Sequence, residues 1–309
     1  MRVSEACMIC LPAGHTAPKE MKGSVMQMTQ RYKALLSCGV AAALLLTGCG
    51  RNNGSSGGTS SSPATPGASG SASASQTAGY KTGLGILTEA ADEGRTGTIH
   101  TITAAVMLDG DGKLADVMLD ELELTLSADG MGAVTMPTDY RTKRQKGEDY
   151  PLAAASSLKK GWAEQADAFA DYLTGMTPEK VSMLETDKEG RASDADLLSG
   201  CTIRVDKYRD AVAKACANAE ALGAAKGDRV SVGVEAENAS SNVTATDDRD
   251  VNAQIDLTVM ALTLDAEGRV TSAVGDMAEP ALTVAADGGI TAPDTIRTKL
   301  ELGDEYGMR

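Results

Sequence analysis

Residues 98–122 read TIHTITAAVMLDGDGKLADVMLDEL. The first eleven, Thr98 to Leu108, place Ile99, Ile102, Ala104, Val106 and Leu108 at spacings that predict a β-strand. Asp109-Gly110-Asp111-Gly112 is turn chemistry, and Leu114 to Leu122 predicts the returning strand of a hairpin. The same Asp-rich run invites comparison with a Ca²⁺ loop. That loop needs an oxygen ligand at its fifth position and Gly at its sixth, where this chain has Lys113 and Leu114. The run is a turn.

Shifted by 156 residues, the hairpin and its sequel meet themselves again. Asp109 aligns with Asp265, Gly112 with Gly268, Asp120 with Asp276, and Pro137 with Pro293. Arg141-Thr142-Lys143 aligns with Arg297-Thr298-Lys299, Gly147 with Gly303 and Tyr150 with Tyr306. Two unrelated β-rich stretches with similar turns do not easily produce nine identities at one offset. The second copy reaches Arg309 opposite Ala153, so the expectation is a complete domain over 80–226 and an incomplete, truncated second copy over 227–309. Misfolding around an uncovered apolar sheet face is the hazard this organisation implies.

Beyond the hairpin, Leu152, Ala155, Leu158, Trp162, Gln165, Phe169 and Leu173 recur at helical spacing and end near Gly175. The sole Trp and sole Phe of the chain lie seven apart on this helix, hence on one face, where core packing is the default role. A second helix is predicted from Asp206, as N-cap, to Leu222, with Tyr208, Val212, Ala215 and Ala219 inward. Strands followed by helices without βαβ alternation predict an α+β fold with a mainly antiparallel sheet.

The 309 residues carry 43 acidic and 29 basic side chains, a formal net charge of −14. Such a balance argues against nucleic acid as a partner, since that binding rests on Lys and Arg neutralising phosphates. With only His15 and His100 in the chain, a multi-histidine metal site is excluded, and no metal ligands are assigned. No catalytic constellation is visible either, so a carrier is favoured over an enzyme.

The charge is uneven: residues 1–51 hold six basic and two acidic side chains. From Met28 a short basic stretch leads into an apolar run, Ala34 to Leu46, then Thr47-Gly48-Cys49. This pattern predicts a secretory signal peptide over 28–48 and is too short for an ordinary transmembrane helix. Residues 1–27 lie upstream of where such signals begin and are expected to be a mis-assigned segment, with Met21, Met26 and Met28 as alternative starts. Leu46-Thr47-Gly48-Cys49 resembles the bacterial lipobox, which implies that Cys49 carries the lipid and becomes the mature N-terminus. A diacylated cysteine supplies the two chains that stable anchoring needs. Residues 49–79 then form a Ser/Gly-rich tether, whose 28 central residues span roughly 30 Å as coil. The expected location is extracytoplasmic, on the cell membrane.

Between the two helices lies Asp196-Leu197-Leu198-Ser199-Gly200-Cys201-Thr202. This run resembles the flavinylation motif of the FMN-binding domain family, Asp-x-x-Ser/Thr-Gly-Ala-Ser/Thr, with Asp196, Ser199, Gly200 and Thr202 matching and Cys201 replacing Ala. The stretch from Tyr80 to Leu222 is similar to the repeated domain of flavin-carrying lipoproteins in Gram-positive extracellular electron transfer. The resemblance includes the lipobox, the tether and the Arg-Thr-Lys…Gly-Glu-Asp-Tyr run. It implies FMN held covalently by a phosphoester at Thr202, attached by an FAD:protein FMN transferase. It also implies a membrane electron donor and an extracellular acceptor. Asp196 would orient or deprotonate Thr202 during transfer, and Trp162 and Tyr208 are the aromatic candidates for the isoalloxazine ring. Gly200 would let the phosphate approach the backbone.

Two further features are open on sequence alone. Cys201 and Cys216 could pair in an exported protein, or each could be a small buried residue. The basic run Arg141, Lys143, Arg144 and Lys146 is a solvated turn or a contact for flavin phosphate. The alternative function is a non-redox cell-envelope lipoprotein serving as a binding or interaction module.

Overall fold

The computed structural model describes residues 79–307. The expected upstream segment, signal peptide, lipidated Cys49 and tether as far as Ala78 lie outside the described residues.

The predicted hairpin is the middle of the first sheet. β2 (Thr96–Leu108) lies between β1 (Lys81–Glu93) and β3 (Leu114–Ala128), both antiparallel to it, and β4 (Val134–Thr135) extends the β3 edge. Both strands of the hairpin run longer than predicted, and its turn is closed as the sequence implies. Asp109 Oδ1 accepts the Asp111 and Lys113 amides, each at 2.9 Å, while Gly112 takes a left-handed φ of 76°. The Asp109 oxygen serves its own backbone.

Among the described residues, seven short α-helices, two 3-10 turns (Gly147–Asp149 and Gly303–Tyr306) and five more strands follow. The helices are α1 (Lys143–Lys146), α2 (Leu152–Ala155), α3 (Trp162–Leu173), α4 (Pro178–Ser182), α5 (Ala195–Leu198), α6 (Asp206–Ala217) and, near the end, α7 (Lys299–Leu302). The second sheet is antiparallel, with β6 (Val251–Leu264) pairing β5 (Arg229–Asn238), β7 (Val270–Ala278) and β8 (Ala281–Val284), and with β9 (Ile290–Thr291) on β8. The chain is α+β, with two antiparallel sheets. At the offset of 156, β7 and β8 together match the continuous β3, and Pro280 interrupts them because it has no N–H for the ladder.

Three layers result. α3 and α6 cover one face of the first sheet through Ala104, Val106, Leu108, Leu114, Val117 and Leu119. Its other face, with Ile99, Ala105, Met107, Leu122, Leu124 and Leu126, packs on the second sheet, which contributes Val251, Ala253, Ile255, Leu257, Val259 and Ala261. Residues 227–307 therefore bury one face of their sheet instead of leaving it bare. The margins are stitched as well. Thr82 and Ser272 hydroxyls meet at 2.6 Å, Asp116 Oδ2 accepts the Arg229 Nε–H at 2.8 Å and the Val230 amide at 2.9 Å, and the Ile290 amide donates to the Gly94 carbonyl.

Segments aligned at that offset also share hydrogen bonds. Thr142 and Thr298 each cap a short helix in a reciprocal box, with Gln145 and Glu301 respectively. Asp120 Oδ1 accepts the Arg144 amide at 3.2 Å, and Asp276 Oδ1 accepts the Leu300 amide at 3.1 Å. Lys143 sits over the Tyr150 ring and Lys299 over Tyr306.

Helix boundaries depart from the periodic pattern. The single helix expected from Leu152 to Leu173 is broken between Ser156 and Gly161, where Lys159 adopts a φ of 55°. The Glu164 carboxylate accepts the Gly161 amide at 2.8 Å and starts α3 afresh. α6 begins at Asp206 with Val205 as its cap, so Asp206 is a first-turn residue and not the N-cap; it ends at Ala217, short of Leu222.

Close backbone approach positions α6 on the first sheet. A Cβ at Gly85 would lie 2.1 Å from the Ala211 carbonyl oxygen, and one at Gly83 2.0 Å from that of Ala215. Gly85→Ala is expected to lower unfolding stability by about 1–3 kcal/mol through overpacking, read as a drop in the urea midpoint.

Candidate functional site

The Asp196–Thr202 run forms α5 and the turn that leaves it. Asp194 caps α5, its Oδ1 accepting the amides of Asp196 at 2.9 Å and Leu197 at 3.1 Å. Leu197 points into the core, while Asp196 and Ser199 are exposed. Ser199 donates its hydroxyl to the Asp196 carbonyl at 2.7 Å. Gly200 lies against α3, where an added Cβ would come within 3.1 Å of the Ala168 methyl. Its small size brings the loop onto the helix.

Thr202 is half-buried, and its partner is Gln165. Both the Thr202 amide, at 2.9 Å, and its hydroxyl, at 3.0 Å, donate to Gln165 Oε1. Gln165 is fully buried and spends its amide on Ser156 Oγ at 3.1 Å and the Lys160 carbonyl at 3.0 Å. One side chain thus ties the break before α3 to the loop after α5. Because the Thr202 hydroxyl gives its proton inward, its oxygen lone pairs are left without a donor among the described residues. No hydrogen bond joins Asp196 to it among the described residues; Gln165 is the side chain that orients Thr202. The sign of Gln165 in the sequence was a polar residue within the apolar stripe Trp162–Phe169, a pattern that in a buried helix face requires hydrogen-bond partners.

The expected ring partners are placed elsewhere. Trp162 is 2% exposed, donates its indole N–H to the Tyr208 hydroxyl at 3.1 Å, and meets that ring edge-on at 6.0 Å between centroids. Tyr208 in turn donates to Glu121, and burial followed by the charge of Glu121 pushes its phenol well above the ordinary range. Lys143 closes the network at 2.8 Å from Glu121 and 3.3 Å from Glu123. Burial opposes the Lys143 charge, but Glu121 outweighs it and holds the ammonium above the usual lysine range. These rings and charges are engaged with one another inside the protein.

The same contacts correct the reading of the basic run as a solvated turn. Lys143 is buried, Arg144 reaches the Leu119 carbonyl and Asp167, and Arg141 bonds Asp139 and Asp149. Asp120 beside them accepts the Thr142 hydroxyl at 2.8 Å, and its burial raises its carboxyl pKa.

A cleft of about 330 Å³ opens beside α5, lined by Phe169, Tyr172, Met183, Asp194, Leu197 and Arg209 among others. Burial, then the Asp194 and Asp196 charges, raise the Tyr172 phenol. Among the described residues no group of His, Cys, Asp and Glu is arranged to hold a metal ion. Cys201 and Cys216 are both buried and free, so no disulfide joins them. No family model, curated protein or solved structure matches the chain.

Two outcomes are expected. Gln165→Met strands the Thr202 and Ser156 groups and lowers stability by about 1–3 kcal/mol, more than Thr202→Val, by chemical denaturation. Burial pushes the Cys201 thiol up to about 11 and that of Cys216 up to about 12, from an ordinary 9.0. A thiol raised in the folded state favours folding below its unfolded pKa. That contribution is lost as pH rises from about 9 towards the folded values. Stability should therefore fall above pH 9, with a shallower slope in Cys201→Ala, as followed by thermal melts across that range.

Proposed function

We propose that the chain is a membrane-anchored, extracytoplasmic flavoprotein electron carrier with FMN esterified to Thr202. The observation that carries this reading is the half-exposed Thr202 hydroxyl, held by buried Gln165 at the end of Asp196-x-x-Ser199-Gly200-Cys201-Thr202. The lipobox and tether support the location. Covalent attachment suits an exported carrier, from which a loosely held cofactor would diffuse away.

The residues fit a phosphoester on this loop. Gly200 and buried Cys201 keep the loop thin on α3, and Gln165 fixes the hydroxyl with its lone pairs free. Arg204, exposed two residues on and paired with Asp206 at 3.2 Å, offers a cation for a phosphate. Asp196 contributes through the turn and not as a base. The bound flavin would supply reversible electron uptake, and the protein would set its exposure. Trp162 and Tyr208 do not stack on it, being committed to the core; the cleft beside α5, with Tyr172 and Met183, is the better-placed surface for a ring.

The second reading is a non-redox envelope lipoprotein that serves as a binding module. It is favoured by the commitment of both expected ring partners to the Glu121–Lys143 network. Co-expression with an FAD:protein FMN transferase separates the two. The carrier reading expects the mass of FMN on the peptide containing Thr202, in-gel flavin fluorescence, and loss of both in Thr202→Ala. A wild-type chain that stays colourless and unmodified beside an active transferase overturns it.

A further inference from the structure

The second sheet has two faces of different character. Along β6, Val251, Ala253, Ile255, Leu257, Val259 and Ala261 are buried against the first sheet, while Met260, Leu262 and Leu264 between them are only half-buried. At the offset of 156 these three correspond to Ala104, Val106 and Leu108, which lie under the helical layer at 0%, 0% and 6% exposure. Val270 corresponds to Leu114: it is 51% exposed, against 1%. This stretch is apolar in both sheets; among the described residues of the second, no helix packs on β6, and the four-residue α7 reaches the sheet only at β7.

The strand beside it carries a more specific signature. The pairing puts Gly233 against Met260 and Ser231 against Leu262, as it puts Gly85 against Ala104 and Gly83 against Val106. In the first sheet, Gly83 and Gly85 are required because the α6 backbone at Ala215 and Ala211 touches them. Gly233 has nothing within 4 Å. A glycine inside a strand costs stability and marks a place where another backbone comes close. Charge follows the same template. Lys207, four residues before Ala211, pairs with Glu89. Glu237, in the register of Glu89 on β5, is exposed and has no ion pair among the described residues.

We propose that the outer face of the second sheet is a docking surface for an α-helix of another polypeptide, bearing two alanines four residues apart and a lysine four residues before the first. The alanines would sit on Ser231 and Gly233 with the lysine on Glu237, and the helix would cover Met260, Leu262 and Val270. The spacing is that of Lys207, Ala211 and Ala215 on α6. A second copy of this sheet face is a poorer occupant. Facing sheets pack about 10 Å apart through side chains and have no use for glycine. Such a pair would also bring together two sets of Glu235, Glu237 and Asp256. The inference is independent of the flavin reading.

The test uses the full-length chain labelled at methionine methyls and, as probe, a synthetic peptide of residues 204–220. The peptide is expected to shift the Met260 methyl resonance saturably below about 1 mM, the weak end of specific association. Gly233→Val should weaken this at least tenfold without lowering the melting temperature, because its added side chain meets open space. Glu237→Lys should weaken it too, and a peptide carrying Lys207→Glu should restore it. No Met260 shift at that concentration, an unchanged shift in Gly233→Val, or a peptide-free dimer that already protects Met260 overturns the proposal.

Discussion

The C-terminal half of β2 is buried on both faces, and the rest of the molecule is arranged around that requirement. Ala104 to Leu108 are five consecutive buried residues, alternately facing the helical layer and the second sheet. A strand in that position has no solvated side, so neither neighbouring layer can be lost without exposing half of its apolar surface. The helices and the second sheet thus share one foundation. The hydroxyl and carboxylate contacts at the sheet margins join the first sheet to the second and fix their relative position.

The candidate site inherits its geometry from the helical layer. α3 rests on β3, and the same helix presents Trp162 to Tyr208 and, one turn later, Gln165 to Thr202. The Glu121–Lys143–Tyr208–Trp162 network is a fully engaged buried polar cluster, the kind that specifies one packing arrangement but is costly when incomplete. Removing a member would be felt at the Thr202 loop through α3.

Much of the architecture was legible in local chemistry. The Asp109–Gly112 turn is a short-range device, so its residues announced it; Asp120 reaches Arg144, and Asp276 reaches Leu300, 24 residues away. The boundaries of α3 and α6 were less legible, because Leu152 and Leu158 satisfy helical spacing although the chain breaks between them. Gln165 was visible only as a polar residue in an apolar stripe, and its acceptor role depends on a loop 37 residues away. Lys143 read as part of an exposed basic run. Its burial depends on Glu121 and Glu123 from another element, and charge pairing across elements leaves no local pattern.

The sequence by itself determined the β2–β3 hairpin, its turn and the α+β class, since these follow from residue types and their spacing along the chain. Only the tertiary structure decided that residues 227–307 pack on the back of the first sheet, that Trp162 and Tyr208 bond to each other and to Glu121, and that Gln165 holds Thr202. Those outcomes depend on which buried surfaces and hydrogen-bonding groups meet across the chain. That is a matter of burial and partner geometry, which periodicity does not encode.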